Sequence, residues 1–237
     1  MTDLLPPPPD GFRRISEYRI GARPKRSFHG ILDAARLLPS GTPFPTTRVE
    51  LERRGDVIEL VVENPLRKGK MRDVLHAEAR PGGVVARSLV RVLEAEDGAP
   101  IRREEVQRFA HDVFGFHEAT YPEVAIPFLL PWVSLDRRKS LYAWINDRFV
   151  PRVYLEEGSR TTLHLPIGAR RAVEIVMYPD LNDWVPLGAL LTRLSKPFTP
   201  KYHMWFDETT RELVRFEGPY GPPGAAEIVF ELASTSS

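Results

Sequence analysis

The side chains able to move protons in this 237-residue chain are scattered along it. Histidine, tyrosine and carboxylate groups become useful acids or bases when an apolar pocket shifts their pKa toward neutrality. His203, Tyr154, Glu156, Asp147 and His164 are the candidates for such work. Glu156 and Glu157 are neighbours in a stretch of strand character, so they point to opposite faces and cannot share one proton. His111 and His117 stand near Asp112 and Glu118, but six residues separate them and no i, i+4 pair or closed ligand set appears. No metal is expected there. The chain has no cysteine, which excludes disulfides, thiolate nucleophiles and cysteine-held metals. Gly-x-Ser-x-Gly, His-Glu-x-x-His, phosphate-loop and Gly-x-Gly-x-x-Gly motifs are also missing, so no hydrolase, zinc-protease or nucleotide-binding class gains support and no cofactor is expected.

Aromatic residues suggest binding instead. Trp144 and Trp205, with Tyr154 and His203, are the candidate ligand-binding residues for an apolar or aromatic small molecule or a lipid; the competing reading is that these rings fill the core. Arg67, Lys68, Lys70 and Arg72 form a basic cluster without interleaved aromatics, which reads as a solvated loop between strands. The net charge is +1, which leaves no electrostatic footprint for nucleic acid, and none is expected as a partner.

These residues need elements to position them. From Tyr202 to Leu232 apolar residues alternate in three pieces separated by turn residues, as in three closing antiparallel strands. Thr46 to Glu52 and Val57 to Glu63 form one hairpin. Val74 to Arg80 and Val84 to Glu94 form a second, with Val84, Ala86, Ser88, Val90 and Val92 on one face. Ser140 to Ile145, Val150 to Glu156, Thr161 to Leu165 and Arg171 to Met177 read as four further strands, with Gly158-Ser159 as a two-residue turn. Helices are expected at His29 to Leu38, at Arg102 to Val113 and from an Asp183 cap to Leu194. The run Val124 to Val133, broken by Pro127 and Pro131, is too short to cross a membrane and reads as buried irregular structure or a lid. The opening residues, with Asp3 and four consecutive prolines, lack the pattern of a signal peptide, so a cytoplasmic location is expected. Residues 1–24 read as an extended arm and a lead-in that offers at most an edge strand, and residues 25–237 as a single domain.

The segments VPRVYLEEGSRTTLHLPIGARRAVEIVMYPD and KYHMWFDETTRELVRFEG resemble uncharacterised bacterial β-proteins with the half-barrel layout of lipoprotein carriers (LolA/LolB-like). That resemblance implies an incomplete antiparallel barrel wrapped around helices and sheltering an apolar chain, and it brings no catalytic motif. The expected fold class is therefore mostly β (α+β), a large curved antiparallel sheet or incomplete barrel with two to four helices packed on it. The expected function is binding of an apolar or aromatic small molecule or lipid in the concave cavity. The alternative is a cofactor-independent cyclase, isomerase or lyase working in the same cavity.

Overall fold

The computed structural model describes residues 6–22, 45–66, 68–109, 116–135, 140–180, 201–219 and 227–237, with the side chains of 102–108 excepted. The described residues form one sheet of thirteen strands. In chain order these are β1 (Arg13–Ala22), β2 (Thr46–Arg54), β3 (Val57–Leu66), β4 (Gly69–Arg80), β5 (Gly83–Glu94), β6 (Pro100–Arg108), β7 (Thr120–Pro122), β8 (Ser140–Trp144), β9 (Arg152–Leu165), β10 (Gly168–Pro179), β11 (Tyr202–Asp207), β12 (Leu213–Pro219) and β13 (Glu227–Ser236). Their order across the sheet is β6-β5-β4-β3-β2-β1-β13-β12-β11-β10-β9-β8-β7, antiparallel throughout except for β7 beside β8. Two antiparallel meanders thus meet where the first strand pairs with the last.

The period of two sets the inner face. Val49 and Leu51, then Ile58, Leu60 and Val62, then Met204 and Phe206, then Phe216 and Phe230 are buried, while the residues between them stay wetter. The sheet curls around one short helix, α1 (Ile126–Leu129), whose four residues are all buried. Four residues cannot hold a helix in water, so packing fixes this one, at about 2 kcal/mol for each large apolar side chain buried. Phe128 lies 5.5 Å from Tyr18, which in turn lies 6.4 Å from Phe230. The curl brings β7, at one end of the sheet, against β5, next to the other end. The Tyr121 hydroxyl donates to the carbonyl of Val84 and accepts the amide of Ser134 at 2.8 Å. Val84 donates to the carbonyl of Trp132 at 2.7 Å. Gly83 makes this approach possible: its φ is +126°, and a Cβ there would stand 2.8 Å from the Trp132 carbonyl oxygen.

Several expectations change. Among the described residues there is one short helix, so two to four packed helices are not found; those expected at 29–38 and from Asp183 to Leu194 lie outside the described residues. The helix expected from Arg102 begins instead as β6, because β5 offers a free edge and backbone pairing outweighs an i, i+3, i+4 stripe that one short segment can imitate. The lead-in is no edge strand: β1 pairs with β2 on one side and β13 on the other. Lys70 and Arg72 lie on β4 and not in a loop. Lys70 reaches Glu63 and Glu94, and Arg72 reaches Glu63, so their charges are met across the ladder.

Two bulges mislead a strict two-residue reading. Ser88 faces His76 and Ala86 faces Ala77, so Arg87 is extra and the faces exchange there. Val84 and Ala86 share the inner face with Leu89 and Arg91, while Ser88, Val90 and Val92 turn outward. Gly158-Ser159 is not a turn either, since β9 runs through it to a tip at Pro166-Ile167. A Cβ on Gly158 would meet Glu174 Oε2 at 2.5 Å, and Ser159 donates to that oxygen through its amide and its hydroxyl, at 3.3 and 3.2 Å. The glycine is there to admit a carboxylate.

Candidate functional site

The expected site residues lie mainly on the outer face or at its margins. Tyr154, His203 and Trp205 alternate with the inward Val153, Met204 and Phe206. His203 Nδ1 stands 2.7 Å from Glu174 Oε1, its ring stacks on Trp205 at 5.9 Å, and Arg215 covers the other ring system at 5.6 Å. Burial raises the Glu174 pKa, but hydrogen bonds from His203 and Ser159 outweigh it and hold the carboxylate below its ordinary value. Ser159, Glu174 and His203 are not a nucleophilic triad: the carboxylate sits between serine and histidine, and a triad needs the histidine there. Tyr154 donates to Asp180 at 2.9 Å, Tyr178 donates to Glu156, and Trp144 donates to Asp147 at 3.3 Å. His164 is exposed near the β9 tip. Four of the five candidate acids and bases therefore engage other partners, His164 stands in solvent, and the five do not converge. Trp144, on β8, packs edge-on to Phe109 at 5.7 Å and stands three strands from Trp205, about 14 Å at ordinary strand spacing.

The inner face carries two polar clusters that the sequence reading missed. In the first, Glu212 is 3% exposed and accepts hydrogen bonds from the hydroxyls of Ser16 and Thr235, the latter at 3.0 Å. Arg14 Nε lies 3.6 Å away, with its guanidinium 5.5 Å from both the Phe12 and the Trp132 rings. Tyr18 donates to the carbonyl of Leu213 at 3.0 Å. The cavity beside this cluster measures about 10 Å³, room for one water.

The second cluster is open. Asp73, 1% exposed on β4, pairs with Arg91 on β5 at 2.6 and 3.2 Å. Glu123, just after β7, faces that pair, and Tyr202 on β11 faces Glu123. Neither the Glu123 carboxyl nor the Tyr202 hydroxyl has a hydrogen-bond or ion-pair partner among the described residues, and both are half-buried. Burial pushes the Glu123 carboxyl up to about 7; Arg91 opposes this and Asp73 adds to it. Burial raises Tyr202 too, helped by Glu123. Two strands away Thr47 donates to Asn64 Oδ1 at 2.8 Å, and Asn64 Nδ2, in a side chain 6% exposed, has no partner. An orphaned buried donor of this kind costs about 1–3 kcal/mol. A proton donor or acceptor poised near neutrality, beside unpartnered donors in an apolar trough, can recognise a polar head or transfer a proton. No pattern in the sequence marks Glu123, a lone acid between a proline and an apolar run.

No group of three or more metal-binding side chains occurs among the described residues, and no helix there is long and apolar enough to cross a membrane. No family model matches the chain, and no curated protein does. Among solved structures it is similar to a Bacteroides fragilis protein provisionally described as exported, with a YmcC-like fold. That likeness has a TM-score of 0.33 and 9% identity and covers 99% of each chain. The description of this bacterial β-protein as exported runs against the cytoplasmic location expected from the sequence, which is withdrawn.

Proposed function

We propose that the protein binds an apolar or aromatic small molecule or a lipid against the concave face of its sheet. The observation that carries this reading is the open cluster: Glu123 and Tyr202 are unpartnered yet half-buried beside an apolar trough. A core built only for stability has no use for such groups, because each unmade hydrogen bond works against folding. The ligand lies along the flank of α1, with its polar end at Glu123, since the space beside Tyr18 and Phe128 admits only a water. Native mass spectrometry and solvent extraction of the purified protein test the reading. Recovery of a stoichiometric apolar compound supports it. A clean apo mass, together with no uptake of added lipid or aromatic probes, removes it.

One observation favours a second reading, a cofactor-independent enzyme. A carboxyl held near 7 is matched to proton transfer at neutral pH. In that case Glu123 is the acid or base and Tyr202 the supporting donor. A bound compound recovered chemically altered from the one supplied would decide for it.

A further inference from the structure

We infer that the ligand is headed by a hydrogen-bond-accepting oxygen, an ester or carbonyl, and that Glu123 donates to it only in its protonated form. The inference rests on the binding reading above and adds the chemistry of the head.

Asn64 gives the direction of the hydrogen bonds. Because Thr47 donates to Oδ1, the unpartnered atom is the amide nitrogen, a donor that requires an acceptor. Asn64 pairs with Met71, and Asp73 lies two residues on along the same face. Diagonal neighbours of this kind stand about 7–8 Å apart, within the span of one polar head and its ester. Tyr202 adds a hydroxyl able to donate. Asp73 and Arg91 meet each other's charge, which leaves Glu123 as the carboxyl of this cluster without a partner among the described residues.

Among the described residues three groups face Glu123: Asp73 from β4, Arg91 from β5 and Tyr202 from β11. Asp73 favours the protonated carboxyl, Arg91 the ionised one, and Tyr202 stays neutral through the window. Burial, the largest influence, places the midpoint at about 7. Below it the site presents donors from Tyr202 and Glu123, and the Asn64 amide, itself shielded from solvent, lies diagonal to Asp73 on the same face. Above it Glu123 becomes a carboxylate that repels the lone pairs of an ester. An ammonium head would meet donors facing donors at low pH and would bind better at high pH.

The test uses the full chain stripped of lipid, with palmitic acid methyl ester and hexadecylamine as probes, about 1.5 pH units below and above 7. The ester does not titrate in that window and Glu123→Gln removes the carboxyl, so pH dependence present in the wild type and lost in Glu123→Gln reports Glu123. The ester is expected to bind about 30-fold more tightly at the lower pH, the ratio of protonated fractions for a midpoint of 7. Glu123→Gln keeps an uncharged donor and is expected to bind tightly at both. Asn64→Leu, which removes the orphaned donor without opening a cavity, is expected to weaken binding about tenfold at both. Ester binding that ignores pH in the wild type, or amine bound more tightly than ester, overturns the assignment of the head and leaves the binding reading standing. If wild type takes up neither probe at either pH, the binding reading itself has failed.

Discussion

Glu212 and Glu123 are two carboxyls withdrawn from water on the same side of one sheet, and the fold treats them oppositely. Around Glu212 gather two hydroxyls and a guanidinium, contributed by β1 and β13, so its charge is met on all sides. The cluster ties the first strand to the last, where the two meanders join. Around Glu123 no donor among the described residues is aimed at the carboxyl, and its pKa climbs because burial outweighs the opposing charge of Arg91. A buried charge that is fully answered belongs to architecture. One that is left unanswered, near unpartnered Tyr202 and Asn64, points to an occupant that supplies the missing bonds.

The largest expected effect breaks the answered cluster. Glu212→Ala leaves Arg14 buried without its carboxylate and Ser16 and Thr235 without an acceptor, and is expected to lower stability in urea by about 3–5 kcal/mol. Gly83→Ala comes next, at about 2 kcal/mol, since it forces a Cβ toward the Trp132 carbonyl at a positive φ; the readout is the melting temperature, with loosened packing around Trp132 seen in fluorescence.

The open cluster should show itself through pH. A carboxyl whose folded pKa lies above its ordinary 4.5 keeps its proton better folded than unfolded, so stability is full below 4.5 and declines as pH rises through 7. The expected loss is about 2 kcal/mol once water access to this half-buried group is allowed for. Urea melts across that window measure it, and Glu123→Gln should flatten the slope. Smallest of all, Tyr202→Phe removes a hydroxyl with no partner among the described residues and should change stability by less than about 0.5 kcal/mol while weakening ligand uptake. A large loss there would mean that the hydroxyl is answered after all, and the contrast with Glu212 would shrink.

The sheet was legible where side chains alternate and turn residues intervene: the three closing strands and both N-terminal hairpins follow from that. It was illegible where one residue serves a distant partner. Gly158 reads locally as a turn, but it admits Glu174 from β10. Arg87 reads as one more step in an alternation, yet it is the bulge that turns Leu89 and Arg91 inward. Val106 and Phe109 fit a helical stripe, and only the open edge of β5 makes that segment a strand. The candidate site was the least legible part. His203, Trp205 and Tyr154 stand out by type, whereas Glu123, Tyr202 and Asn64 matter for what they lack, and a missing partner is visible only once the strands are placed.

The carboxyl carbon resonance of Glu123, followed by NMR through a pH titration with and without palmitic acid methyl ester, tests the central claim most directly. A midpoint near 7 in the free protein, moving upward when the ester is added, is the expected result. A midpoint near the ordinary 4.5, indifferent to the ester, would contradict it.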